Sequence, residues 1–149
     1  MVKMLKHVTS NDNIPSIIRS GLRAHTCLSG NDGLTEYYAE TIEDDDEIPV
    51  ILGIDPDKLD HTLLQPDING VEEPIMSLVR GISNCRDEEA LYDAWMGSTQ
   101  DWHASLKLIG SVSYSGIIAS LAIQILDQNT GVWSPLITRE HTPDDKLEP

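Results

Sequence analysis

Apolar residues recur along the first half of this chain in short bursts separated by polar punctuation. Val2 to His7 reads as a strand. Ile14, Ile17, Ile18 and Leu22 then fall on one helical face, which predicts a short amphipathic helix. Asp12 or Asn13 can cap it, because either side chain accepts a hydrogen bond from an unpaired N–H of the first turn. Pro15 is tolerated where those N–H groups have no helical partner, and Gly21 suits the stop. Residues 25–34 are polar and contain glycine, so they read as a loop. Thr35 to Ala39 is a short strand candidate, and Glu43-Asp44-Asp45-Asp46-Glu47 repels itself and reads as a solvated loop. Ile48 to Ile54 is a buried strand, Asp55-Pro56-Asp57 a turn, and Leu59 to Leu64 a further strand candidate.

In the second half, Pro74 opens a helix with Ile75, Leu78, Val79 and Ile82 inward. Asp87-Glu88-Glu89 places acids at another helix start, where the macrodipole favours them, and Leu91 and Trp95 share its inner face. A short turn spans Trp102 to Leu106, and Ser111 to Ser115 alternates like a strand. Leu121 to Leu126 and Val132 to Ile137 form a hairpin around Asp127-Gln128-Asn129-Thr130-Gly131, ahead of a polar tail from Thr142. The sum is roughly six to seven short strands with about three helices, without the strict alternation of a doubly wound sheet, which is the signature of an α+β fold. The length of 149 residues fits a single domain over 1–149.

Two cysteines, Cys27 and Cys85, are too few for a disulfide scaffold, and no apolar run suits a signal peptide or a membrane span. The expectation is a cytoplasmic protein with no membrane partner. A net charge of −15 argues against nonspecific DNA binding, which needs cations to displace phosphate counterions. The charge is uneven: residues 1–31 hold Lys3, Lys6, Arg19 and Arg23 against Asp12 alone, whereas residues 32–73 hold fourteen acids and only Lys58. An anionic ligand is therefore expected at the N-terminal segment. No metal site is expected, since His25-Thr26-Cys27 is a single close pair and zinc normally takes three or four ligands.

His7-Val8-Thr9, the Ile14-Pro15-Ser16-Ile17-Ile18 helix and the exit Gly21-Leu22-Arg23 resemble the start of the ADP-ribosyltransferase superfamily. The nearest likeness is to DNA-modifying ADP-ribosyltransferase toxins and RNA 2′-phosphotransferases. The resemblance implies a split β-sandwich that clamps NAD. It implies that His7 contacts the adenosine ribose, that Thr9 approaches the nucleotide by its backbone, and that Tyr37 or Tyr38, on the next strand, stacks on nicotinamide, with Tyr38 favoured. Arg19 or Arg23 would neutralise the pyrophosphate. The competing reading of His7 is a strand-end histidine bonded to a backbone carbonyl.

The family's glutamate at the start of the strand after the central helices is missing, because Gly110-Ser111-Val112-Ser113-Tyr114-Ser115-Gly116 contains no acid. A fixed anion helps an oxocarbenium-like ribosyl cation form. Asp101, just before that strand, and Glu140, after the last one, are the candidates for it. Trp102 and His103 are candidates for reading the target, against a plainer role for Trp102 as an anchor to the core. The activity implied is transfer of ADP-ribose from NAD to a protein or nucleic-acid acceptor, as in toxins and in phage and bacterial conflict factors. The alternatives are an acidic, non-enzymatic inhibitor that imitates nucleic-acid charge and blocks a basic partner, and a degenerate nucleotide-binding domain.

Overall fold

The computed structural model describes residues 4–137. Seven strands form a single sheet in the order β4-β5-β2-β1-β3-β6-β7, where β1 is Leu5–Ser10, β2 Thr26–Ser29, β3 Pro49–Ile54, β4 Leu64–Pro66, β5 Ser111–Tyr114, β6 Ile123–Asp127 and β7 Val132–Pro135. Every neighbouring pair is antiparallel. Among the described residues six helices accompany the sheet: α1 (Ile14–Ser20), α2 (Asp32–Asp44), α3 (Ile68–Glu72), α4 (Ile75–Val79), α5 (Glu88–Met96) and α6 (Trp102–Leu108). The fold is thus α+β, with an antiparallel sheet and twice the expected number of helices.

The registers decide which side chains share a face. Leu5, His7 and Thr9 stand opposite Ile54, Leu52 and Val50. These apolar residues join Leu28, Val112 and Tyr114 in the main core, which Ile17 of α1, Leu22 and Ile118 close. Lys6, Ser29 and Ser111 lie in register on the other face. There α2 packs down: the hydroxyls of Ser29 and Thr35 are 2.6 Å apart, and Lys6 Nζ donates to Asp32 Oδ1 at 2.6 Å. A smaller core of Val71, Leu91, Trp95, Ala104 and Ile109 gathers the inner faces of α3, α5 and α6.

The sheet is continuous but weakly joined at its middle. β1 meets β3 along six residue pairs, yet it meets β2 at one, Lys6↔Ser29. Each half of the sheet is well paired, so the strands part there rather than fray.

Several expectations need correction. The first strand is displaced: it runs to Ser10, so His7 lies within it and not at its end. Ser10 caps the 3-10 turn Asn11–Asn13 by accepting the Asp12 N–H, and Asn13 holds the N-cap position of α1 without a capping bond, its Nδ2 donating to Thr9 Oγ1 at 2.9 Å instead. The presumed loop at 25–34 contains β2, a polar strand held by four pairs with β5. The presumed strand at Thr35–Ala39 is the middle of α2, because Asn31 Oδ1 accepts from both Gly33 and Leu34 N–H and starts a helix. Leu59–Leu64 is mostly not strand: a 3-10 turn at His61–Leu63, capped by the Asp60 side chain, fills its centre, and only Leu64 enters β4. Trp102–Leu106 is helix rather than turn, its start capped by Asp101. Of the residues expected inside around α4, Leu78 packs on the smaller core and Ile82 is half-buried, but Ile75 and Val79 are 52% and 69% exposed, and Ser77 is the buried residue, donating to Ile109 O at 2.8 Å. The expected features in 138–149, Glu140 among them, lie outside the described residues.

Gly21 joins α1 to the core at φ +74°, and a Cβ there would fall on the Ile118 carbonyl oxygen that accepts the Leu22 N–H. Gly21→Ala is therefore expected to lower stability by about 2–4 kcal/mol, from the left-handed backbone and the clash together. Urea unfolding measures it; a loss under about 0.5 kcal/mol contradicts this packing.

Candidate functional site

Continuing the β1–β2 register from Lys6↔Ser29 would set Val8 opposite Cys27. Instead, the strands separate and the His7 side chain reaches across, its Nδ1 3.2 Å from the Cys27 carbonyl oxygen. A carbonyl can only accept, so Nδ1 carries the proton and Nε2 keeps its lone pair. Burial lowers the His7 pKa from 6.5, against the opposing pull of the Cys27 carbonyl. The ring is then neutral at pH 7 and offers an acceptor rather than a charge.

Beside this ring lies a cleft of about 540 Å³, within the size range of small-molecule sites. β1 contributes His7 and Thr9 to its wall, α1 contributes Ser16, Ile17 and Ser20, and the following segment contributes Gly21, Leu22, Arg23 and Thr26. The sequence folds this way locally because α1 is short and Gly21 turns the chain sharply back against Ile118. The wall is polar, with an apolar floor at Ile17 and Leu22, and Arg23 brings a cation to its edge.

A second polar cluster adjoins the first through Cys27. Its thiol lies 3.7 Å from Asp67 Oδ2, and Ser111 Oγ donates to the same oxygen at 2.6 Å. Asp67 Oδ1 meanwhile accepts the Gly70 N–H and caps α3. Burial, with the Asp67 charge beside it, pushes the Cys27 thiol up to about 12, although the residue keeps a solvent-facing edge. Burial likewise raises Tyr38 to about 12, with Cys27 and Asp67 next to its hydroxyl. Thiol and phenol both stay neutral at physiological pH.

The residues singled out from sequence divide into three groups. His7, Thr9 and Arg23 line the cleft together, and His7 bonds a backbone carbonyl, as its plainer reading expects. Tyr37 and Tyr38 lie on α2, both half-buried, 5.5 Å apart between ring centres, and not in and out across a strand. Arg80 covers Tyr37 at 5.3 Å and Tyr38 turns to Cys27 and Asp67. The remaining residues are outside the cleft wall. Arg19 sits on the exposed side of α1. Asp101 caps α6, accepting from Ala104 N–H at 3.0 Å and Thr99 Oγ1 at 2.8 Å, and these bonds lower its pKa. Trp102 packs on the main core between His61 and His103, whose ring stacks on it at 3.7 Å.

The reading of residue types missed Asn13, Ser16 and Thr26 in the cleft and the whole Asp67 cluster. Asp67 before Ile68 carried a helix-cap signal, but nothing local pointed to Cys27 or Ser111, 40 and 44 residues away. Among the described residues no group of three or more His, Cys, Asp and Glu is placed to hold a metal ion. No helix among them is long and apolar enough to cross a membrane. Comparison with family models, curated proteins and solved structures finds no match to this chain.

Because the folded His7 pKa is depressed, the unfolded chain takes up its proton first on acidification. The stability tied to the neutral ring is present above about pH 6.5 and is lost as pH falls through the folded value. Wild type is expected to lose more stability between pH 7.5 and 5 than His7→Asn, which keeps a donor for the carbonyl; equal losses in urea titrations contradict the assignment. Folded Cys27 is expected to resist iodoacetamide at about pH 8, because its thiol stays protonated beside Asp67, and to react promptly once the chain is unfolded, as mass mapping of its peptide would report; equal rates count against the raised thiol pKa.

Proposed function

We propose that this chain binds NAD across the split of its sheet and transfers ADP-ribose to a protein or nucleic-acid acceptor. The observation that carries the reading is the convergence of His7, Thr9 and Arg23 on a ligand-sized cleft where β1 and β2 part. The single-pair junction of β1 and β2 supports the reading as the counterpart of the split that the resemblance implies.

His7 Nε2 accepts a hydrogen bond from a ribose hydroxyl, since the neutral ring has its one proton committed to Cys27. Arg23 pairs with the pyrophosphate, a match of planar donors to phosphate oxygens. The apolar floor of Ile17 and Leu22 receives the adenine face. In the reaction the ribose C1′–nicotinamide bond breaks and its electron pair leaves with nicotinamide. The acceptor nucleophile bonds C1′ and gives up its proton. The toxin or conflict-factor role follows from the resemblance, and so does the choice of acceptor class.

NAD at a hundred times its dissociation constant is expected to stabilise the chain by about 2.7 kcal/mol in thermal or urea unfolding. Arg23→Ala, an exposed position, is expected to weaken NAD binding about tenfold, the loss of one exposed charge-assisted phosphate contact. Wild type is expected to release nicotinamide, measured by chromatography, and Arg23→Ala to release it more slowly at limiting NAD. No stabilisation by NAD, together with salt-sensitive capture of a basic protein, contradicts the reading and favours the acidic inhibitor.

A further inference from the structure

Nine large apolar side chains stand exposed among the described residues, and five of them lie on α3, α4 and α5: Ile68, Ile75, Val79, Tyr92 and Met96. The inner faces of these helices already have their core, through Val71, Leu78, Leu91 and Trp95, so the outward apolar groups add nothing to it. The best-defined of these outward faces is on α5. Tyr92 and Met96 are one turn apart there, 54% and 52% exposed, and residues four apart share a helix face. Glu88, Glu89 and Asp93 border this stripe, and all three are exposed. The two glutamates stand in the first turn, where the macrodipole accommodates them. Asp93 lies past it, four residues beyond Glu89, a like-charge spacing that costs a helix stability. Among the described residues none of the three pairs with a cation, and Arg86, close to them in sequence, pairs with Asp87. The face therefore combines apolar area with carboxylates that the fold leaves unanswered.

We propose that the outer face of α5 docks a basic amphipathic helix of another protein, its apolar stripe on Tyr92 and Met96 and its cations on Glu88, Glu89 and Asp93. Tyrosine offers a large, stiff contact surface and methionine adapts to the shape laid on it. Charge selects the occupant. A second copy of this chain would bring the same carboxylates to the contact, and a nucleic acid or an anionic lipid surface would bring phosphates, so each meets repulsion. A helix with an apolar stripe flanked by Lys or Arg covers the stripe and answers its border at once. α5 contributes nothing to the wall of the His7 cleft, so this docking goes beyond the nucleotide reading and does not rest on it.

The test is fluorescence anisotropy with two labelled synthetic peptides of identical Leu and Lys composition. One carries Leu at i, i+3 and i+4 spacing, and the other is scrambled so that no apolar face forms. Wild type is expected to bind the amphipathic peptide about tenfold more tightly than the scrambled one. Tyr92→Gln combined with Met96→Gln keeps helix-forming residues on α5 and is expected to make the two affinities equal. Glu89→Gln combined with Asp93→Asn is expected to weaken the amphipathic peptide about tenfold. Glu43→Gln combined with Asp44→Asn, in the acid run that ends α2, is expected to change it less than about twofold. Equal wild-type affinity for the two peptides overturns the docking face, and so does a preference that survives the loss of Tyr92 and Met96. An equal loss in the Glu43 and Asp44 variant also overturns it, since that marks attraction to net charge alone. Saturating NAD is expected to leave peptide affinity unchanged, and displacement of the peptide by NAD overturns the placement on α5.

Discussion

A single side-chain hydrogen bond stands where a ladder of main-chain bonds would otherwise close the sheet. The Cys27 carbonyl takes the His7 imidazole as partner, and β1 and β2 are free to part beyond Lys6↔Ser29. A strand carbonyl that loses its ladder partner needs another donor, and here the side chain of His7 supplies one. An imidazole does this at longer reach than a backbone N–H. The opening it permits is the wall of the cleft, and the same bond fixes the tautomer that gives the cleft its acceptor. The features of the candidate site are consequences of that substitution.

The two polar environments on either side of Cys27 differ in kind. The cleft pairs a neutral acceptor with a cation at its edge, Arg23. The Asp67 cluster holds an anion among groups that stay protonated, because burial raises Cys27 and Tyr38 well above neutral pH. The overall charge of −15 says little about this arrangement. Lys6, one of the N-terminal cations, pairs with Asp32, and among the described residues Arg23 is the cation of that segment that lines the cleft. Electrostatic function here is a matter of local placement and not of net charge.

Where local physics decided the structure, the sequence was readable. The unbroken apolar run at Ile48–Ile54, the acidic start of α5 with Leu91 and Trp95 on its inner face, and the hairpin about Asp127–Gly131 are all present. Where tertiary contacts decided it, reading from residue types failed. β2 is a polar tetrapeptide, and only its pairing with β5, far along the chain, makes it a strand. Tyr37-Tyr38 favours a strand by side-chain type, but the Asn31 cap and the burial of Leu34 and Thr35 make a helix. α4 turns Ser77 inward because its hydroxyl satisfies the Ile109 carbonyl, and Ile75 and Val79 are left outside.

The same division runs through the site. His7, Thr9 and Arg23 are close in sequence and on adjoining elements, so their convergence was legible. Asp67 was not, since its partners arrive from β2, α2 and β5. The missing acid was sought near Ser111 along the chain, at Asp101, which instead caps α6, whereas the Ser111 hydroxyl bonds a carboxylate delivered from 44 residues away.

The central claim is that His7 holds the split open with Nδ1–H and presents Nε2 to a bound nucleotide. Nitrogen-15 NMR of imidazole-labelled protein during NAD titration tests it most directly. The account predicts a neutral, Nδ1-protonated His7 at pH 7 whose Nε2 resonance moves on NAD addition while the Nδ1–H signal persists. A ring protonated at Nε2, or one whose nitrogens are indifferent to saturating NAD, would contradict it.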